Sequence, residues 1–287
     1  MSAPPSLDHA GEVVGYRRSV RRPPGAWRLA AAAAVAACVA AGCSLPGFGA
    51  PEPKSEQGET VYSLWQGFFL TALAVAALVW GLLIFVVLRY RRRRGDDPDE
   101  VPSQRAYNVP LEILYTAVPV VIVAVLFGAS WASQYEVTDV DPEPAARVDV
   151  IGFRWSWQFV YPDEDVVVSG EPGRGPEMVI PLGQPVQLRL ISSDVAHSFW
   201  VPDFLSKRDL IPGVDNTIDV TPTEVGTYVG RCAEFCGLDH WRMNFSVRVV
   251  EEQEYRAWLD EQRASGDDVE PSEESPELGE DSGEAGG

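Results

Sequence analysis

The chain has 287 residues, 46% of them apolar, a formal net charge of −19 at pH 7 and a pI near 4.5. Such acidity excludes nucleic acid as a natural partner and favours a basic one where the charge gathers on one face. The length accommodates one ordinary domain plus accessory segments, and the apolar residues are spread unevenly among them.

The first segment reads as a targeting sequence. Arg17, Arg18, Arg21, Arg22 and Arg28 precede an Ala-rich apolar run from Leu29 to Gly42. That run is too short to span a bilayer and suits an export signal over residues 1–42. It closes on Ala40-Ala41-Gly42-Cys43, similar to a bacterial lipoprotein cleavage box with Ala40 in place of the usual Leu. A lipid-modified Cys43 is the expectation, and an ordinary signal with an incidental Cys is the alternative. Residues 1–16 are longer and more polar than a signal needs, which points to a start downstream. Residues 43–61 read as an external linker.

Two membrane spans are expected within residues 62–133. Phe68 to Leu88 carries no charge, as does Ile113 to Trp131, which contains Pro119. About 20 such residues cross ~30 Å of hydrocarbon, and a Pro is tolerated in a membrane helix. Trp65, Trp80, Tyr90, Tyr115 and Trp131 lie within or at the ends of the spans, and those at the ends suit the interface. Arg89 and Arg91 to Arg94 follow the first span at once. The positive-inside rule places loop 89–110 in the cytoplasm despite its four acidic residues, Asp96, Asp97, Asp99 and Glu100. Everything after about Ser133 is then external, on a bacterial cell membrane.

Residues 142–258 read as an external β domain. Arg147 to Tyr161 alternates as a strand should, and Val186–Ile191, Thr217–Val220, Thr227–Gly230 and Asn244–Val250 look similar. Connectors bearing Gly and Pro separate them, at 171–176, 181–185 and 211–213. Short strands with turn signals suggest a small sandwich or barrel. Glu252 to Gln262 reads as a short helix. From about Ala264 to Gly287 the chain is Glu, Asp, Ser, Gly and Pro, too poor in apolar groups to offset its ordering entropy, and is expected to be a disordered acidic tail.

Chemistry concentrates in Cys232-Ala-Glu-Phe-Cys236-Gly-Leu-Asp-His240-Trp-Arg-Met243, with His197 upstream in Asp194-Val-Ala-His-Ser-Phe-Trp-Val-Pro202. Thiolate, imidazole and thioether together select copper, or less often zinc, over hard cations. A blue-copper ion takes one Cys, two His and a weak Met. The extra thiolate suggests two copper ions bridged by a pair of sulfurs. A Cys232–Cys236 disulfide is the common alternative in an exported domain, but it leaves His197, His240 and Met243 without a reason to gather. A Cys2His2 zinc site is a second alternative, and it has no need of the Met243 thioether.

Cys-x3-Cys-x3-His-x2-Met, with Glu234 between the cysteines and Asp194-x2-His-Ser-Phe-Trp-Val-Pro upstream, resembles subunit 2 of haem–copper cytochrome c oxidases of the bacterial aa3 type. The resemblance runs from about Tyr62 to about Trp258. It implies a two-helix transmembrane hairpin followed by an all-β, cupredoxin-like Greek-key sandwich carrying a dinuclear copper A centre. On that resemblance Cys232 and Cys236 bridge both coppers, and His197 and His240 bind one each. Met243 is a weak axial ligand to one copper, and the backbone carbonyl of Glu234 serves the other. The Glu234 side chain helps bind magnesium at the interface with subunit 1, a hard ion for a hard oxygen.

Further roles come from the same source. Gly152-Phe-Arg-Trp155-Ser-Trp157 resembles the family stretch whose first Trp accepts electrons from cytochrome c, which assigns that role to Trp155. With strict alternation, Trp155 and Trp157 share one strand face, and core packing is the plain reading of both. Ser156 and Val160 replace a common Tyr and an acidic docking residue, which points to a different cytochrome c donor, a membrane-tethered one among the alternatives. Asp194 matches an acidic position of the docking face. Asn108-Val-Pro-Leu-Glu112-Ile-Leu-Tyr115-Thr-Ala-Val-Pro119 resembles the stretch whose Glu lies at the mouth of a proton channel continuing into subunit 1. The plain reading of Glu112 is a carboxylate placed favourably at a helix N-terminus.

The implied function is electron transfer from cytochrome c to the haem of subunit 1, where oxygen is reduced to water with proton translocation. None of the oxygen chemistry falls on this chain. Two other functions compete: a copper-free structural subunit of a quinol oxidase, against which the Cys pair counts, and a stand-alone membrane-anchored copper electron-transfer protein.

Overall fold

The computed structural model describes residues 47–91 and 104–265, with Ala30 and Val101. Nearly all of the expected signal over 1–42, Cys43, residues 92–100 and 102–103 of the basic loop and the tail beyond Ser265 lie outside the described residues.

Helix α1 runs from Glu56 to Tyr90 and α2 from Val109 to Thr138. The Ser55 side chain caps α1 by accepting the Gly58 N–H at 3.1 Å, and Glu56 and Glu59 complement the positive end of the dipole. Asn108 caps α2, Pro110 occupies its first turn, and the Glu112 carboxylate reaches back to the Asn108 N–H at 2.9 Å. Both helices are long and apolar enough to cross a membrane. At ~1.5 Å per residue each exceeds the ~30 Å hydrocarbon thickness. Each helix therefore outruns its uncharged span with polar turns, and α1 begins inside the stretch 43–61 expected to be linker. Thr60 Oγ1 donates to Glu136 Oε1 at 2.9 Å, joining these outer turns.

Ten strands follow: β1 Ala146–Phe153, β2 Ser156–Tyr161, β3 Val166–Ser169, β4 Glu177–Pro181, β5 Val186–Ser192, β6 His197–Val201, β7 Ser206–Leu210, β8 Asn216–Val220, β9 Gly226–Cys232 and β10 Asn244–Val250. They form two five-stranded sheets, β3-β2-β1-β5-β8 and β4-β10-β9-β6-β7. The chain passes repeatedly between sheets, and the β1–β5 and β4–β10 pairs are parallel while the other pairs are antiparallel. This is the Greek-key, cupredoxin-like sandwich expected behind two apolar helices.

The single strand expected over Arg147–Tyr161 is instead a tight hairpin. Phe153 pairs with Ser156, and Arg154 and Trp155 form the turn. Trp157 is fully buried, whereas Trp155 stands half-buried at the turn, so the two do not share a strand face.

The core lies between the sheets. Trp157 meets Phe245 edge-on at 5.1 Å between ring centroids, and Phe199 stacks on Phe245 at 4.7 Å; such pairs contribute ~0.5–1.5 kcal/mol beyond area burial. Tyr161 satisfies its buried hydroxyl twice, donating to Val179 O and accepting from Val179 N. Helix α3, Glu252–Ser265, closes one end by burying Tyr255 and Leu259 and setting Trp258 against Tyr161. It runs a turn beyond the expected Gln262 and takes in the first residues of the expected tail.

Candidate metal centre

The site forms where the sheet β4-β10-β9-β6-β7 ends. β9 delivers Cys232, the loop to β10 carries Glu234, Cys236, His240 and Met243, and β6 begins at His197. Pairing of β6 with β9, with Phe199 opposite Cys232, brings His197 across a 35-residue separation. The loop is held shut at its base by Cys232 N to Met243 O at 3.0 Å. Gly237 turns it with φ +118°, a conformation that favours glycine.

The sulfurs of Cys232 and Cys236 stand 3.9 Å apart, so the thiols are unbonded and face one another. His197 Nδ1 lies 3.8 Å from Cys232 Sγ, and His240 Nδ1 lies 3.5 Å from Cys236 Sγ. Met243 Sδ is 3.7 Å from Cys236 Sγ, and the Glu234 carbonyl oxygen is 3.3 Å from Cys232 Sγ. The donor atoms of His197, Cys232 and Cys236 all lie within 4.8 Å of one another. Cys232, Cys236, Met243 and His197 are buried. Two thiols, two imidazole Nδ1 atoms, a thioether and a carbonyl thus converge on one pocket. That soft donor set fits copper.

Charge is arranged to hold this set. Burial opposes ionisation of Cys232, but His197 and nearby backbone groups outweigh it and lower the thiol. Burial raises Cys236, and the neighbouring Cys232 charge raises it further. Burial works against a charged His197, yet Cys232 and Asp194 together raise it. Asp194 Oδ1 sits 2.8 Å from His197 Nε2, which leaves Nδ1 turned to the sulfurs. Asp194 is itself held down to about 2: burial opposes this, but His197, the Val195 and Arg154 amides and the Arg154 guanidinium prevail.

Asp194, expected on a docking face, is half-buried, bonded to His197 and paired with Arg154 at 3.0 Å. Trp155 donates its indole N–H to the Cys236 carbonyl at 3.2 Å. A Cβ at Gly237 would stand 3.3 Å from that nitrogen, so the loop needs glycine there for the ring to approach. The Glu234 side chain is exposed. Glu112 lies at the far end of α2 from the sandwich, in the cap already described. Two supports were missing from the sequence expectations: the Asp194–His197 bond, signalled only by i, i+3 spacing, and the Trp157 N–H to Met243 O bond at 3.3 Å, which nothing in the sequence signals.

Fold and site together define a class: a cupredoxin-like domain behind two membrane-length apolar helices, with a thiolate-rich site for a soft metal. Residues 46–131 match the transmembrane domain of cytochrome c oxidase subunit II, and residues 174–250 match its periplasmic domain. A probable cytochrome c oxidase subunit 2 of Streptomyces avermitilis is 39% identical, over 85% of this chain and 89% of its own. Cytochrome c oxidase subunit 2 of Mycobacterium bovis is 31% identical, over 83% and 82%. The crystal structure of the periplasmic domain of cytochrome oxidase subunit II from Bradyrhizobium japonicum is 29% identical and covers 44% of this chain and 99% of that one, with a TM-score of 0.41. The chain belongs to the cytochrome c oxidase subunit II family.

Proposed function

We propose that this chain is the electron-accepting subunit of a cytochrome c oxidase, relaying electrons from cytochrome c to the haem of subunit 1 by way of a dinuclear copper A centre. Oxygen reduction and its coupled proton translocation then belong to the complex. The observation that supports this reading is the convergence of both cysteine thiols with His197, His240 and Met243.

Cys232 and Cys236 would hold both copper ions, His197 and His240 one each, with Met243 and the Glu234 carbonyl completing the set. Bound there, the copper pair supplies reversible one-electron storage with little change of geometry. Asp194 keeps the His197 ring oriented. Trp157 fixes the Met243 carbonyl from the core side. Burial of Cys232, Cys236 and Met243 keeps water from the sulfurs. Trp155 spans from the hairpin turn to the Cys236 carbonyl, so its ring links the surface to the ligand loop.

The exposed Glu234 carboxylate is the proposed magnesium ligand shared with subunit 1. Exposed Phe235, Leu238 and Trp241 on the same loop offer an apolar contact to that partner. Glu112 is the proposed mouth of a proton path, and the copper domain faces outward with loop 89–110 in the cytoplasm.

The test is Cys236→Ser in the assembled oxidase. Oxidation of cytochrome c should be lost, while a small reductant that feeds subunit 1 directly should still drive oxygen uptake. Cytochrome c oxidation at the wild-type rate would overturn the reading.

A further inference from the structure

The outer ends of both helices are bonded into the sandwich, at the end opposite the metal ligands. Ser55 is completely buried. Its hydroxyl donates to Phe204 O at 3.0 Å while accepting the Gly58 N–H. Lys54 N donates to Asp203 O at 2.8 Å, Thr223 N to Lys54 O at 3.0 Å, and Glu56 N to Thr221 O at 3.0 Å. The Gln57 side chain accepts the Thr221 N–H at 3.0 Å. Lys54 and Glu224 form an ion pair. A Cβ at Gly58 would stand 2.7 Å from Phe204 O, so only glycine lets the helix approach this closely. Beyond the end of α2, Asp141 N donates to Asp219 Oδ2 at 2.5 Å.

These bonds meet the sandwich at neighbouring points. Asp219 lies in β8 and Thr221 directly follows it, while Asp203 and Phe204 belong to the 3₁₀ turn that follows β6. β6 starts at His197 and runs to that turn, and β9 leaves this end to finish at Cys232. One strand length therefore separates clamp from ligands, about 20 Å for the six steps of ~3.3 Å along a seven-residue strand. Over that lever a tilt of ~10° at the clamp moves the metal end by ~3.5 Å. Transfer between fixed centres tolerates little such displacement.

We infer that residues Lys54 to Gly58 are positioning residues for the relay: they fix the angle at which the sandwich presents its metal end to the haem subunit. The inference rests on the relay proposed above. Ser55 and Gln57 form the clamp's side-chain bonds to the sandwich backbone, and both are remote from every proposed ligand.

The experiment uses the assembled oxidase carrying the full chain with Ser55→Val and Gln57→Leu together, and Ser55→Thr as the conservative variant. Three quantities are read: the copper spectrum, the rate of transfer from the copper centre to haem after flash reduction, and hydrogen exchange at the Thr221 and Thr223 amides. In the double variant the spectrum should be unchanged, those amides should exchange faster, and transfer should slow by roughly 10- to 100-fold. Ser55→Thr should restore the wild-type rate. Wild-type transfer despite faster amide exchange would overturn the inference, as would a spectrum lost along with the rate. Absence of transfer in the wild-type oxidase itself would instead sink the relay.

Discussion

The indole N–H of Trp155 donates to the backbone carbonyl of Cys236 at 3.2 Å, joining a surface turn of one sheet to the ligand loop of the other. The bond gives the ring a fixed place over Gly237 and beside Cys236. Together with packing of the ring against the edge of the core, it accounts for an aromatic residue standing half-buried at a hairpin turn.

Trp155→Phe keeps an aromatic ring but removes that bond. Cytochrome c oxidation should fall while the copper spectrum keeps its shape, and stability should drop by about 1 kcal/mol. Stopped-flow reduction by cytochrome c and thermal melting of the same variant separate the two effects. An unchanged reduction rate would move electron acceptance away from this ring.

Asp194→Asn leaves a hydrogen-bonding group beside His197 but takes away the charge. Loss of such an outer support costs about 10- to 100-fold in metal affinity. Copper titration against a competing chelator measures it. The ordinary reading of Asp194 as a surface docking acid predicts unaltered copper affinity and a changed salt dependence of the donor reaction.

Trp157→Ala should destabilise the domain by about 3–5 kcal/mol, since it removes a fully buried ring packed on Phe245 and one of the two hydrogen bonds to the Met243 carbonyl. Denaturant unfolding of the metal-free protein reads this loss. Copper binding should weaken as well, because Met243 loses its support. A cost below about 1 kcal/mol would contradict the packing described.

Asp219 sets a pH dependence away from the metal ligands. Burial raises its carboxyl above the ordinary range, the nearby Asp141 and Asp139 charges add to this, and the Asp141 amide only partly compensates. Its Oδ1 is buried with no hydrogen-bond partner among the described residues. A raised native value means the folded state holds the proton more tightly. The resulting stabilisation is full below the unfolded carboxyl value near ~3.9 and is lost as pH rises through the native one. Asp219→Asn should therefore melt higher than wild type at pH 7, with the difference shrinking toward pH 4. Calorimetry across that range checks it, and a variant that melts lower at pH 7 would contradict the assignment.

The candidate site's loop was legible because four soft donors fall within twelve residues, and soft side chains in that density have few other uses. The helices were legible as uncharged runs, although their polar outer turns were not, since the signal that marks a span stops where the charges begin. Several strands were hidden for separate reasons. β7, Ser-Lys-Arg-Asp-Leu, is a polar edge strand without alternation. β6 is short and was taken up by the His197 motif. The β1–β2 hairpin turns without Gly or Pro at Arg154-Trp155, so alternation ran straight through it. What no local pattern could supply was register: the pairing that seats His197 by Cys232, the bond from Trp155 to Cys236, and the clamp from Ser55 to Phe204 all join residues far apart in the chain.

Cys232, Cys236, His197, His240 and Met243 are proposed to hold two copper ions as one electron-accepting unit. Electron paramagnetic resonance of the copper-loaded full chain tests it most directly. The expected spectrum shows hyperfine splitting from two equivalent copper nuclei sharing one unpaired electron. A single-copper spectrum, or none with Cys232 and Cys236 joined in a disulfide in freshly isolated protein, would contradict it.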